Sequence, residues 1–169
     1  MNPFAILWDY RDAFFGGFVV TAELVLLTAA IGTALGTSLE VLGEQFEGPF
    51  RRAVDATAFC VAAIPALVIL FWLYYPGQVL LGINISPFET ALVALTIINT
   101  FAVYRVVADA VKDFPKQLIS TGLVCGLKRS EIFRYIELPL LVRSALPRWI
   151  DQQVIILQTS LSHFGGRDI

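Results

Sequence analysis

The chain has 169 residues, of which 57% are hydrophobic and 15% are charged, and its mean hydropathy is +0.72. Soluble domains contain about 45–50% apolar and about 25% charged residues, so this composition excludes a domain that faces water on all sides. Twelve Lys and Arg against 14 Asp and Glu give a formal charge of −2, which argues against a nucleic-acid binder with a basic stripe. The length suits one all-α membrane domain, residues 1–169, and two cysteines are too few for a disulfide framework.

Two long apolar runs in the first half predict membrane-spanning helices. Residues 14–41 follow an acidic segment and are longer than the apolar part of a signal peptide, so we interpret them as a mature span. Residues 56–75 hold no charge, and as a helix they measure about 30 Å, the hydrocarbon thickness of a bilayer. Pro65 predicts a kink in this second span, and Pro76-Gly77 predict its end.

Two later runs complete a prediction of four transmembrane helices. Residues 88–107 have an uncharged centre between Glu89 and Arg105, and the Arg105 side chain can extend toward the interface. Residues 140–161 contain three charged side chains that would be costly against lipid, so this helix is predicted to pack inside the bundle or to line a watery path. The three are Arg143, Arg148 and Asp151.

The distribution of Lys and Arg predicts the orientation. The segment between the first two spans carries Arg51 and Arg52, and residues 109–139 carry five basic residues. The segment between the second and third spans carries none, and the N-terminal segment carries one. Because basic loops stay in the cytoplasm, the N-terminus is predicted outside and residues 109–139 are predicted cytoplasmic.

Residues 109–139 are too long for a simple connector and predict two short helices, at 116–124 and 129–136. Gly126 is the predicted break, Ser130 a candidate cap and Leu138-Pro139 the predicted end. Both helices carry apolar side chains at helical spacing: Leu118, Ile119 and Leu123, then Ile132, Phe133 and Ile136. These faces suit docking to another protein, lying on anionic lipid or packing beneath the bundle, and the spacing leaves the three open.

A polar set at membrane depth is the candidate translocation path. Arg148 and Gln152 lie one turn apart on one face, and Arg148 can pair with Asp151 three residues later. Ionisable groups within a membrane commonly mark a path, and a structural ion pair that closes the bundle is the alternative. Glu23 of the first span belongs to the same candidate set, although a protonated or paired carboxyl inside the bundle is the simpler interpretation.

Gly32 and Gly36 form a small-xxx-small motif in the first span. Such a motif permits close helix crossing, either within the chain or between two chains.

Residues 126–139, GLKRSEIFRYIELP, resemble the second half of the EAA loop of ABC-importer permeases. Pro115-Lys116 is similar to the Pro-Lys of the polar amino acid branch of that family. Weaker similarities lie at residues 70–75, 86–91 and 159–161, so the resemblance covers residues 14–161.

The resemblance implies a permease subunit of a type I importer in the cell (inner) membrane, moving a small polar solute such as an amino acid. Such subunits pair, as homodimers or heterodimers, and an extracytoplasmic solute-binding protein delivers the cargo. Their EAA loops dock on separate ATP-binding cassette ATPase subunits. The implied coupling residues are Ser120, Gly126, Lys128, Arg129, Ile132, Phe133 and Pro139. The chain has no phosphate-binding loop, so ATP is predicted to bind and to be hydrolysed on the partner subunit. The chain itself is predicted to be a transport subunit and not an enzyme, without a cofactor or a metal.

The sequence also departs from the family pattern. Ser120-Thr121-Gly122 stand where Glu-Ala-Ala is expected, and Arg105 stands where the family commonly has Glu. The family continues past its Thr-Ser-Leu into another loop and a last span. A truncated or degenerate paralogue that acts as a scaffold or regulator is therefore the competing hypothesis. An intramembrane enzyme ranks third, because we find no metal cluster or nucleophile–base pair in the sequence.

Overall fold

The structure, a computed structural model, describes residues 11–46 and 48–164, and all regular elements in these two ranges are helical. The predicted N-terminal segment and the two ends of the predicted 1–169 domain lie outside these residues. The α-helices are α1 (Arg11–Gln45), α2 (Pro49–Ala63), α3 (Ala66–Trp72), α4 (Gln78–Leu81), α5 (Pro87–Lys112), α6 (Gln117–Val124), α7 (Arg129–Ile132) and α8 (Leu138–Phe164).

The long helices α1 and α5 form the centre of the fold and pack along each other. Both are long and apolar enough to cross a membrane, over Phe15–Gln45 and Pro87–Lys112, which confirms helices at the predicted runs 14–41 and 88–107. The helix α5 begins with a capping box: the Glu89 backbone N–H donates to Ser86 Oγ (3.2 Å), and the Ser86 N–H donates to the Glu89 carboxylate (2.9 Å). These bonds satisfy N–H groups that a helix leaves without intrahelical partners.

The small-xxx-small motif of α1 is used within the chain. A Cβ atom at Gly32 would lie 2.6 Å from Asn99 Nδ2, and one at Gly36 would lie 2.6 Å from the Thr100 carbonyl oxygen. Glycine therefore lets α1 and α5 approach until backbone meets backbone at Gly36 and leaves room for the Asn99 side chain at Gly32.

The second predicted span is broken rather than kinked. Helices α2 and α3 meet at a bend of 97°, where Ile64 has an extended conformation (φ −93°, ψ 127°). The ring of Pro65 disfavours helical geometry at the residue before it, which explains the break. The predicted kink at Pro65 is therefore a complete break of the helix.

The predicted end of that span at Pro76-Gly77 is also wrong. A π-helical segment, Leu73–Gly77, joins α3 to α4 and contains Pro76. Proline has no backbone N–H to donate to the carbonyl four residues earlier, and the wider π turn accommodates this missing hydrogen bond. The helix ends at Gly82, which has φ 64°, a left-handed conformation that glycine adopts without strain.

The helix that follows the predicted coupling segment also passes through a proline. A second π-helical segment, Phe133–Glu137, connects α7 directly to α8, so the predicted end at Leu138-Pro139 is wrong. In a regular helix, the ring of Pro139 would clash with the carbonyl group four residues earlier. That carbonyl belongs to the π segment, which ends one residue before Leu138. Two helices, or three if the bent pair is one span, are apolar enough to cross a membrane in the described part of the chain; α8, with its three charges, is not among them.

Among the described residues, buried apolar side chains form two small clusters between the helices. One joins α1, α3 and α5 through Leu24, Leu70, Ala91, Ala94 and Leu95, and the other joins α2 and α5 through Val54, Ala58 and Tyr104. Many large apolar side chains instead point outward, including Phe15 and Phe18 of α1, each 65% exposed. An apolar exterior of this extent is expected where lipid replaces water as the solvent.

Candidate functional site

The segment from α6 to the second π segment, residues 117–137, forms a compact helical hairpin, which we name the coupling hairpin. Its turn is a Schellman motif: the Leu127 N–H donates to the Gly122 carbonyl (3.1 Å), and the Gly126 N–H donates to the Leu123 carbonyl (3.0 Å). Gly126 has φ 84°, the left-handed conformation that this motif requires. The predicted break at Gly126 is confirmed.

The two arms of the coupling hairpin meet at Gly122 and Ile132. Ile132 is fully buried (0% exposed), and a Cβ atom at Gly122 would lie 2.9 Å from its Cγ1. Glycine at 122 therefore provides the space that the branched Ile132 side chain fills. Ile132 acts inside the hairpin and not on its surface.

Polar contacts hold the second arm. The Lys128 backbone N–H donates to the Glu131 carboxylate (2.7 Å), so Glu131 supplies the side-chain contact predicted for Ser130. The Arg129 guanidinium contacts the Glu137 carboxylate at 3.0 Å, and Glu137 is buried (8% exposed). An acid without water around it needs such a partner, so the Arg129 side chain stabilises the hairpin.

Four large apolar side chains of the coupling hairpin are about half exposed or more: Leu123 (54%), Val124 (88%), Phe133 (49%) and Tyr135 (70%). We name these four the apolar patch. Ser120, Gly126, Lys128 and Pro139 are also exposed. Apart from Ile132, the residues predicted for coupling are thus exposed.

The predicted path residues are not brought together. Arg148 of α8 contacts Asp113 (3.4 Å) and Asp109 (3.9 Å) at the end of α5, instead of Asp151. Asp151 is exposed, and Gln152 lies on the inner side of α8. Glu23 is exposed on α1, so the prediction that it is enclosed by the bundle is wrong.

A buried amide cluster joins α1, α5 and α8, and the sequence interpretation missed it. The Asn99 side chain donates to the Thr28 carbonyl oxygen (3.0 Å), and the Asn99 and Gln153 amides exchange hydrogen bonds of 3.3 and 3.5 Å. Trp149 Nε1 donates to Thr33 Oγ1 (2.8 Å) one turn away. A single Asn in the apolar run 90–104 was the available signal, because a buried amide requires a polar partner.

A second polar group ties α1, α2 and α5 together. Arg51 donates to the buried Glu40 carboxylate (3.0 Å), and the Tyr104 hydroxyl donates to Asp55 (2.6 Å). Glu40 and Tyr104 are 1% and 0% exposed. The sequence analysis used Arg51 only to predict the orientation of the chain in the membrane, so the ion pair between Arg51 and Glu40 was not predicted.

A cleft of about 350 Å³ lies between α2, α5 and α8. Its polar members are Arg105 and Gln152, and its apolar lining is Ala58, Val61, Ala62, Ile98, Phe101 and Ala102. A volume of this size accommodates a small molecule. Over residues 11–46 and 48–164, the His, Cys, Asp and Glu side chains form no group of three that could hold a metal ion.

The sequence matches a family model over residues 28–150: the binding-protein-dependent transport system inner membrane component. The chain belongs to this family. The matched region contains α2 to α7 entire, the second half of α1 and the first half of α8. It therefore includes the coupling hairpin and every lining residue of the cleft except Gln152.

Individual relatives agree with the family assignment. The permease resembles the glutamine transport system permease protein of Escherichia coli (strain K12), with 31% identity over 147 residues, covering 83% of this chain and 67% of the relative. It is 24% identical over 162 residues to the octopine transport system permease protein of Rhizobium meliloti, covering 91% and 66%. The chain thus spans about two thirds of the length of these curated relatives.

Solved structures show the same fold. An amino acid ABC transporter crystallised with histidines superposes with a TM-score of 0.83 at 22% identity, covering 98% of this chain and 78% of that one. An inward-facing MetNI methionine ABC transporter superposes with a TM-score of 0.71 at 20% identity, covering 90% and 73%. The helix arrangement described above is therefore the fold of ABC permeases.

Proposed function

We propose that this permease chain forms the membrane-spanning core of an ATP-driven importer for a small polar solute, an amino acid. Family membership and the amino-acid relatives support this function. In the proposed assembly, the chain lies in the cell (inner) membrane as one domain with four spans and its N-terminus outside. A second permease subunit pairs with it, a solute-binding protein delivers the cargo, and separate ATPase subunits bind the coupling hairpin.

The observation that carries the proposal is the continuity between the coupling hairpin and α8. The hairpin is held together by the Gly122–Ile132 contact and the Arg129–Glu137 ion pair. The π segment then passes into α8 without a loop. A displacement of the hairpin is therefore transmitted directly to a helix that crosses the bundle.

The other end of this connection is the bundle interior. The helix α8 is tied to α1 and α5 by the Trp149–Thr33 and Gln153–Asn99 hydrogen bonds, and Gln152 lines the cleft. In our proposal, closure of the ATPase dimer moves the hairpin, and α8 changes access to the cleft from one side of the membrane to the other. ATP binding would supply the free-energy difference between the two conformations.

The altered EAA position fits this mode of docking. Ser120 offers no charge, whereas the apolar patch offers exposed hydrophobic side chains and Lys128 offers an exposed cation. Buried apolar side chains carry much of the free energy of protein interfaces. Docking in this permease would thus depend on apolar contact more than on an acidic side chain.

A pair of valine variants tests the proposal. Val124→Asp places a charge in the apolar patch, and Val79→Asp places the same charge on α4, outside the coupling hairpin. The two valines are 88% and 82% exposed, so neither change disturbs the core. In the full-length complex in proteoliposomes, we expect Val124→Asp to reduce ATP-dependent amino acid uptake and ATPase co-purification at least tenfold.

We expect Val79→Asp to keep ATPase co-purification at the level of the parent protein. Equal uptake and equal ATPase retention in both variants would contradict the coupling role. If the parent complex retains the ATPase but transports no amino acid, the result supports the scaffold or regulatory hypothesis and contradicts the importer function.

A further inference from the structure

The cleft between α2, α5 and α8 has an unusual balance of charge. Arg105 is its one charged lining residue, and Gln152 is its one amide, among the described residues. The remaining walls are small aliphatic side chains and the ring of Phe101. A small solute in this open cleft would therefore meet a single positive charge beside apolar walls.

The acidic groups of the neighbouring helices do not neutralise Arg105. Asp109, one turn further along α5, contacts Arg148 instead. In the described part of the chain, Arg105 forms no ion pair within 4.0 Å. It lies seven positions before Lys112, the last residue of α5, which is about 10 Å along the helix.

Arg105 is exposed, and a cation beside apolar walls requires an anion or water as its partner. We infer that the cleft binds the carboxylate of the transported solute, with Arg105 as the group that selects solutes carrying no net positive charge. The planar guanidinium matches a carboxylate with two parallel hydrogen bonds. This inference deepens the proposed function and rests on it.

The lining also defines the remainder of the solute. Gln152 can both donate and accept hydrogen bonds, so it suits an amide or a second carboxyl oxygen. No acidic side chain is among the described residues of the lining. A cationic solute would therefore meet the like charge of Arg105 without compensation.

Ligand-induced stabilisation of the purified full-length permease–ATPase complex, without binding protein, tests the inference. The probes are L-glutamate, L-glutamine and L-arginine, each titrated while Tm is measured. We expect the first two to raise Tm and L-arginine to leave it unchanged. Arg105→Gln is expected to raise the apparent Kd for L-glutamate about tenfold or more, because a charge-assisted pair is lost.

Two further variants complete the design. Arg52→Gln removes the same charge from an exposed position on α2 that does not line the cleft, and we expect it to bind the probes as the parent does. Arg105→Lys keeps the charge but loses the planar fork, so it should keep the preference for L-glutamate over L-arginine with weaker affinity. It also tests the inference if Arg105→Gln does not fold.

Equal binding by the parent and the Arg105 variants, or stabilisation by L-arginine equal to that by L-glutamate, would overturn the inference. Absence of any Tm shift in the parent would overturn it too. ATP-driven amino acid uptake by the same preparation, with binding protein added, separates the two proposals. Uptake without dependence on Arg105 leaves the importer function standing and removes only the carboxylate site.

Discussion

At Gly36, the contact between α1 and α5 is decided by a single missing methyl group. An added Cβ atom would lie 2.6 Å from the Thr100 carbonyl oxygen and 2.9 Å from the Tyr104 nitrogen. Both are backbone atoms, so a side-chain rotation cannot relieve the overlap. The helices themselves would have to separate.

Gly36→Ala is therefore expected to destabilise the permease by about 1–2 kcal/mol, the difference between overpacking and the gain in helix propensity. Gly17→Ala is the matched control on the same helix, because an added Cβ there has no neighbour within 4 Å. Gly17→Ala should be neutral or slightly stabilising. Denaturant titration of the purified protein in detergent measures both, and equal stabilities would show that α1 and α5 do not pack as described.

Sequence reasoning at the residue scale found the special backbone positions better than the side-chain partners. Gly126 and the Gly32–Gly36 pair were identified because a positive φ or a close crossing restricts the choice of residue. The partner of Arg148 was misassigned to Asp151, since Asp109 and Asp113 lie more than 30 positions away in sequence. Local spacing contains no information on such a distant contact.

Among the elements, the two π-helical segments have the same cause. The first segment contains Pro76 and the second ends two positions before Pro139, and both lie in helices that the sequence predicted to end at these prolines. A widened turn lets the helix continue where a regular turn would clash. For Pro139 the consequence is mechanical, because the coupling hairpin and α8 become one continuous element.

The stability of the hairpin element can be measured separately from that of the bundle. Arg129→Ala leaves the buried Glu137 carboxylate without its ion-pair partner, whereas Lys128→Ala removes an exposed side chain next to it. Since the Arg129 side chain is 63% exposed, we expect a loss of at most about 1 kcal/mol, or roughly fivefold faster amide exchange over residues 129–137. Hydrogen exchange by mass spectrometry would contradict the stabilising role of the ion pair if the two variants exchanged alike.

For the whole molecule, orientation decides whether the coupling hairpin can meet an ATPase. The positive-inside distribution predicts residues 109–139 on the cytoplasmic side. Cys125, at the end of α6, is exposed and offers a label at this position. The loop between α4 and α5 is predicted on the opposite side.

In a Cys60→Ser background, a membrane-impermeant maleimide should label Cys125 in inside-out vesicles and not in intact cells. Asn84→Cys, in the loop between α4 and α5 and with both native cysteines replaced by Ser, should give the reverse pattern. Labelling of Cys125 from outside would reject the proposed orientation and, with it, the coupling role of the hairpin.

The sequence by itself determined the class of protein, the family and the two long apolar helices. The class and the two helices follow from hydropathy over about 20 residues, which each segment carries alone. The family was indicated by the resemblance of residues 126–139 to the EAA loop. The tertiary structure decided the break at Ile64-Pro65, the continuity of the coupling hairpin with α8, the exposure of Glu23 and the position of Arg105 in the cleft. Each of these depends on which helix faces which, and the pairing of distant helices depends on shape and polar partners that no short window of sequence contains.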